Sequence, residues 1–237
     1  MASITRTIAR TIAGLAALGF TCVVYVYLTL PDVRPLRTRN PATTAFMELR
    51  AREASAGGQT PRWRQRWVSY EQISPNLRRA VLAAEDSAFW QHDGVDLEQL
   101  KESIEINIER GRLVRGASTI TQQLAKNLYL SPSRYPLRKL RELFIARDLE
   151  VELSKRRILE IYLNVVEWGD KIFGAEAAAQ AYFNKPASAL DAEEAALMAG
   201  ALINPRVHNP AKPTRRLKRR QEIILRRMEL VPATGGS

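Results

Sequence analysis

The chain has 237 residues, 46% of them apolar and 26% charged, which is the balance of a globular protein and not of a disordered one. Its net charge of +11 favours polyanionic partners: nucleic acid, anionic lipid headgroups or phosphate-bearing substrates. A single cysteine, Cys22, excludes an intrachain disulfide and a cysteine-based metal cluster.

From Thr11 to Leu30 the chain carries no charge. Roughly 20 apolar residues are what an α-helix needs to cross the hydrocarbon core. A cleavable signal peptide would show a shorter apolar core and an A-x-A-like exit, and neither is present. Residues 11–30 therefore read as an uncleaved transmembrane anchor. Arg6 and Arg10 before it place residues 1–10 in the cytoplasm, although Arg34, Arg37 and Arg39 follow the span. Residues 31–66 read as a membrane-proximal connecting segment, punctuated by Pro31, Pro35, Pro41, Pro61, Gly57 and Gly58, with a short apolar piece over 45–49. Trp63, Trp67 and Tyr70 lie among arginines, which suits either a membrane interface or docking on the domain.

Beyond residue 67 the pattern is helical. Ser74 and Pro75 form an N-cap with proline at the first helical position, followed by Leu77, Ala80, Val81 and Ala84 at helical spacing. A second helix covers 97–109 and ends near Gly111. Thr119 to Gln122 fits a capping box that opens a third, carrying Leu124 and Leu128. Pro136 opens a fourth, with Leu137, Leu140, Phe144 and Val151 expected on one face. Ile158, Leu159, Tyr162 and Val166 mark a fifth. Helices over 175–183, 191–202 and 215–228 complete a mainly α domain, and no run alternates as a sizeable sheet requires.

Three clusters carry chemistry. Glu85 falls at the edge of an apolar helical face and near a helix C-terminus, surroundings in which a carboxylate serves as general base or acid. Glu85 or Asp86 can equally cap the turn before Phe89 or pair with an arginine. Gly116 to Gln123, followed by Lys126 and Asn127, crowds hydroxyl and amide side chains at one helix start, where free N–H groups bind phosphates; ordinary capping accounts for one or two of them. Arg134, Arg138, Lys139 and Glu142 describe either a surface ion-pair group or a pyrophosphate site with Glu142 free to hold a metal. His92 reads as a buried hydrogen-bonding residue, and the spacing of His92 and His208 does not describe zinc. The basic run 215–227 reads as a solvated face or a contact with anionic lipid.

In order, these clusters resemble the peptidoglycan glycosyltransferase family, which also forms the glycosyltransferase domain of class A penicillin-binding proteins. Glu85-Asp86-Ser87-Ala88-Phe89-Trp90-Gln91-His92-Asp93-Gly94 is similar to the family's first motif, and Gly116 to Gln123 with Lys126 and Asn127 to its second. Arg138-Lys139-Leu140-Arg141-Glu142 matches the third, and Lys155 to Asn164 the fourth. Ala117 departs from the pattern, since many members carry glycine there. No S-x-x-K or K-T-G transpeptidase motif is present, so the chain resembles the monofunctional members.

The resemblance implies a lysozyme-like fold with a larger and a smaller, membrane-proximal lobe over 67–237. It implies polymerisation of lipid II into β-1,4 glycan with release of undecaprenyl pyrophosphate, at the outer face of a bacterial inner membrane. Glu85 would be the base and Glu142 the second essential glutamate, the latter organising pyrophosphate or a divalent cation, Mg or Mn. Ser118, Thr119, Gln122, Gln123, Lys126, Asn127, Arg134, Arg138 and Lys139 would bind substrate. Cell-division or cell-wall synthesis proteins are the expected protein partners, and nucleic acid is not expected. A lytic, lysozyme-like enzyme and a non-catalytic basic scaffold are the alternatives.

Overall fold

The computed structural model describes residues 2–111, 118–130 and 136–231, and among these the chain is mainly α with one very small sheet. Helix α1 (Ala2–Leu28) leads the chain, and over Arg10–Leu28 it is long and apolar enough to cross a membrane. Its side chains Ile12, Leu15, Leu18 and Phe20 are exposed, which a core helix of a water-soluble domain does not tolerate in such number. The end of α1 is fixed to the domain. Arg141 donates to the Thr29 hydroxyl at 2.8 Å and to its carbonyl at 2.5 Å, and Tyr27 meets Phe144 edge-on at 6.4 Å.

The segment after the anchor is more ordered than its prolines suggest. Thr44 caps helix α2 (Ala45–Ala56) by accepting from the Met47 N–H, and Met47 is fully buried. Arg157 holds the stretch before it through the carbonyls of Leu36 and Arg39 and the side chain of Asn40. Tyr70 is buried and Trp67 lies beneath Arg157, so these two aromatics dock on the domain.

Helix α3 (Pro75–Glu85) starts where Ser74 accepts from the Asn76 N–H, and the same hydroxyl donates to the Leu190 carbonyl. It buries Leu77, Ala80, Val81 and Leu82 and stops at Glu85. Helix α4 (Leu97–Glu109) follows, capped by Asp96, and Gly111 turns the chain with φ +60°. At the centre is α5 (Ile120–Tyr129), which packs against α2, α6 (Pro136–Glu152) and α7 (Lys155–Val165). Thr119 caps α5, but the reciprocal half of the expected capping box is not made: the Gln122 side chain turns to Lys139 instead.

The buried face of α6 also differs from expectation. Glu142, Ile145, Ala146 and Leu149 face the core, whereas Leu137 and Val151 are exposed and Phe144 faces α1. The anchor needs an apolar contact of its own, so the apolar residues of α6 are divided between two faces.

Strands β1 (Arg64–Gln65), β2 (Glu167–Gly169) and β3 (Ile172–Phe173) form a sheet of order β1-β3-β2, parallel between β1 and β3 and antiparallel between β2 and β3. Helices α8 (Ala175–Phe183), α9 (Ala192–Ala201) and α10 (Arg215–Met228) close the domain. Gly200 lets α10 approach α9, since a Cβ there would lie 3.1 Å from Leu217.

Asn164, fully buried on α7, joins the chain before α3 to this core. It accepts from the Val68 N–H and donates to the Val68 carbonyl, both at 3.0 Å. Asn164→Ala leaves both backbone groups without partners in a dry place. We expect a loss of about 3 kcal/mol, read as a lower thermal midpoint of the detergent-solubilised protein.

Candidate active site

Glu85 is the last residue of α3, and the turn that follows aims its carboxylate into an open cleft of about 810 Å³. Ser87, Gln91, Gln99, Ser118, Gln123 and Arg220 are among its lining residues. Gln123 donates from Nε2 to Glu85 Oε2 at 3.0 Å, and Arg220 Nη2 stands 3.7 Å from Oε1. The carboxylate is mostly buried but reachable, with 16% of the side chain exposed.

Asp86, the next residue, is buried and turned the other way. Its carboxylate accepts from the Ile120 N–H at 2.9 Å and contacts His92 Nε2 at 3.0 Å, so the end of α3 is tied to the start of α5. His92 is thus the hydrogen-bonding residue that the sequence suggested, partly rather than fully buried.

A cationic cluster is built around α5 and α6. Glu142 is 4% exposed and lies 2.5 Å from Lys139 Nζ and 3.4 Å from Arg138 Nη1. Lys139 also donates to Gln122 Oε1 at 3.3 Å. Burial pushes the Lys126 ammonium below its ordinary value; Glu142 and Glu85 oppose this shift, and Arg138 and Lys139 add to it. Lys126 therefore feels both glutamates. Three cations around one buried carboxylate leave an excess of positive charge in a partly desolvated place, which is suited to a phosphate or pyrophosphate.

The expected site residues divide into two groups. Glu85, Ser118 and Gln123 gather at the cleft, and Gln122, Lys126, Arg138, Lys139 and Glu142 form the cationic group. Thr119 and Asn127 point inward. Thr119 donates to the Gly94 carbonyl at 2.6 Å, and Asn127 donates to the Gln123 carbonyl at 2.8 Å. Both side chains hold the backbone of the site. Arg134, with Gly116 and Ala117, lies outside the described residues.

Arg220 was not anticipated. The run 215–227 is strongly basic, yet Leu217, Ile224 and Met228 are buried on one face of α10. Position 220 is three residues after Leu217 and four before Ile224, so it shares that inward stripe. An arginine interrupting an apolar stripe was the available signal.

The residues around Glu142 do not make a divalent-cation site by themselves. Such ions take several oxygen ligands, whereas the one carboxylate here is engaged by Lys139 and Arg138. Asp86, His92 and Asp96 do place potential ligand atoms within 4.8 Å of one another. One oxygen of each aspartate, however, already accepts a backbone N–H, Asp86 Oδ2 from Ile120 and Asp96 Oδ1 from Gln99.

The model of the family described as "Transglycosylase" matches residues 53–229. The chain belongs to this family. It is 46% identical over 220 residues to a biosynthetic peptidoglycan transglycosylase of Laribacter hongkongensis, covering 93% of this chain and 96% of the relative. Proteins of the same name from Azoarcus sp. and Nitrosospira multiformis are 51% identical over 194 residues and 48% over 189. The Azoarcus match covers 82% of this chain and 84% of the relative, and the Nitrosospira match 80% and 82%. The family match spans α3 to α10, so this transglycosylase-family domain contains every group described above.

A partly buried lysine holds an anion only while it is charged. Lys126 is charged below its folded value, which lies under the ordinary 10.5. Pyrophosphate affinity measured by calorimetry should therefore weaken as pH rises through a value below 10.5. Lys126→Arg, which keeps its charge, should remove that alkaline loss.

Proposed function

We propose that this protein polymerises lipid II into linear β-1,4-linked glycan, releasing undecaprenyl pyrophosphate. The observation that carries this reading is that neighbouring residues of α5 serve both parts of the site: Gln123 holds the reachable carboxylate of Glu85, and Gln122 accepts from Lys139, which with Arg138 surrounds Glu142. In this reading Glu85 takes the proton of the acceptor sugar's 4-hydroxyl as that oxygen attacks the anomeric carbon of the donor. The bond from that carbon to the pyrophosphate oxygen breaks, and the electron pair leaves on the phosphate. A single displacement from the opposite face inverts the anomeric centre.

Lys126, Arg138 and Lys139 receive the negative charge that develops on the leaving group, so no general acid is needed there. Glu142 holds Arg138 and Lys139 in place. A divalent cation delivered with the pyrophosphate would add Lewis-acid stabilisation, but every proton and charge above is handled by side chains of this chain.

Two features disfavour a lytic enzyme. Glycosidases use a second carboxyl group to protonate a sugar leaving group or to activate water. Glu142 is closed off by its own ion pairs and is 4% exposed. A substrate linked to lipid also requires an enzyme at the membrane, and α1 fits a single-pass anchor. Arg6 and Arg10 favour an inner-membrane topology with the domain outside, where cell-wall synthesis proteins would be its partners.

The deciding assay gives the full-length protein lipid II in detergent and resolves the products by size, before and after muramidase digestion. Wild type should make long muramidase-sensitive strands, and Glu85→Gln should lose on the order of 10²–10⁴-fold in rate. Intact lipid II beside cut glycan would transfer the reading to a lytic enzyme.

A further inference from the structure

Glu85 Oε2 is held by Gln123, and Gln123 is in turn held by a residue that the proposed reaction leaves unused. Tyr162, on α7, is fully buried, and its hydroxyl lies 2.9 Å from Gln123 Oε1. We propose that Tyr162 is a positioning residue for Glu85: its hydroxyl donates to Gln123 Oε1 and so fixes the amide with its N–H groups toward the carboxylate. The inference rests on Glu85 being the base.

A glutamine amide fits its space in two orientations that exchange oxygen and nitrogen. Here the Nε2 end is flanked by two acceptors, Glu85 Oε2 at 3.0 Å and the Ser118 carbonyl at 3.5 Å. The Oε1 end meets only the phenol hydroxyl among the hydrogen bonds described. Exchanging the ends would set an amide oxygen against an ionised carboxylate oxygen. Burial, with Glu85 and Asp86 nearby, pushes the Tyr162 phenol well above its ordinary value, so the hydroxyl keeps the proton it donates.

One consequence concerns the proton itself. With Oε2 occupied by Gln123, the oxygen left to receive the substrate proton is Oε1, the one facing Arg220. Without Tyr162 the amide is free to turn, and the carboxylate loses both its donor and the distinction between its two oxygens. The expected defect is in turnover and not in substrate binding, because Tyr162 has no access to the cleft.

The test is a double-mutant cycle on full-length protein, with kcat and KM for lipid II polymerisation measured in detergent. Tyr162→Phe removes one oxygen and keeps the ring. It should lower kcat on the order of 10-fold, within the range found for residues coupled in one network, with KM within about twofold of wild type. Gln123→Met should lower kcat at least as far. The combination Tyr162→Phe with Gln123→Met should be no slower than Gln123→Met alone, because Tyr162 acts only through the amide.

A purely structural role predicts the opposite: the penalty of Tyr162→Phe would persist in the Gln123→Met background. That result, or wild-type kcat in either single variant, overturns the proposal. Gln123→Met keeps the volume of the side chain, so it still reads the relay if Tyr162→Phe proves poorly folded by circular dichroism. Glu85→Gln separates the two claims. If it retains turnover, the base assignment itself fails; if it is inactive while the cycle is additive, only the role of Tyr162 falls.

Discussion

Everything in this site depends on Asp86 closing the distance between two helix ends. A helix N-terminus leaves N–H groups unpaired, and at α5 one of them, the Ile120 N–H, is satisfied by Asp86 from the residue just past α3. His92 braces the same carboxylate from the far side of the turn, and Thr119 ties the start of α5 to Gly94. The turn from Glu85 to Gly94 is therefore bound to α5 at two points. Glu85 and Asp86 are adjacent in sequence but face opposite ways: one fastens the helices and the other is left projecting into the cleft. Gln123, one turn into α5, then falls within reach of Glu85.

The same arrangement separates charge. On one flank Glu85 is met by a neutral amide and a more distant arginine, which keep it placed without sealing it. On the other flank Glu142 is surrounded closely enough by Arg138 and Lys139 to act as a fixed counter-charge. Two glutamates in one site can thus do different work because one is open and the other is consumed. Lys126 feels both glutamates, and burial pushes its ammonium below its ordinary value.

Much of this was legible in the sequence, for local reasons. Ser74 with Pro75, Gly111, Thr119 and Pro136 mark helix boundaries, and each boundary falls where its turn chemistry put it. Glu85, Gln123, Lys126, Arg138 and Lys139 could be singled out because the clusters that carry them, on α3, α5 and α6, follow one family's motif order. What was hidden depends on contacts distant in sequence. Thr119 and Asn127 share the polar composition of the motif but spend it on backbone. Helix α2 follows a proline-rich stretch and is secured by Met47 and by Arg50, which pairs with Glu167 at 2.8 Å. Arg220 shows in sequence only as a break in an apolar stripe, and its neighbour Glu85 is set by the packing of α10 against α3. Tyr162 looks like any apolar-face residue until its hydroxyl finds Gln123.

Helix α6 shows why the anchor and the chemistry belong to one structural unit. Its positions 138, 139 and 142 present the cations and their counter-charge, while positions 141 and 144 grip the end of the anchor at Thr29 and Tyr27. Helical spacing sets these two faces side by side on the same turns. The cationic group is therefore held a helix width from the point where the apolar span ends at Leu28. Residue 141 then links two elements that are otherwise independent: an arginine there fixes the cations of α6 relative to the end of α1 without lining the cleft.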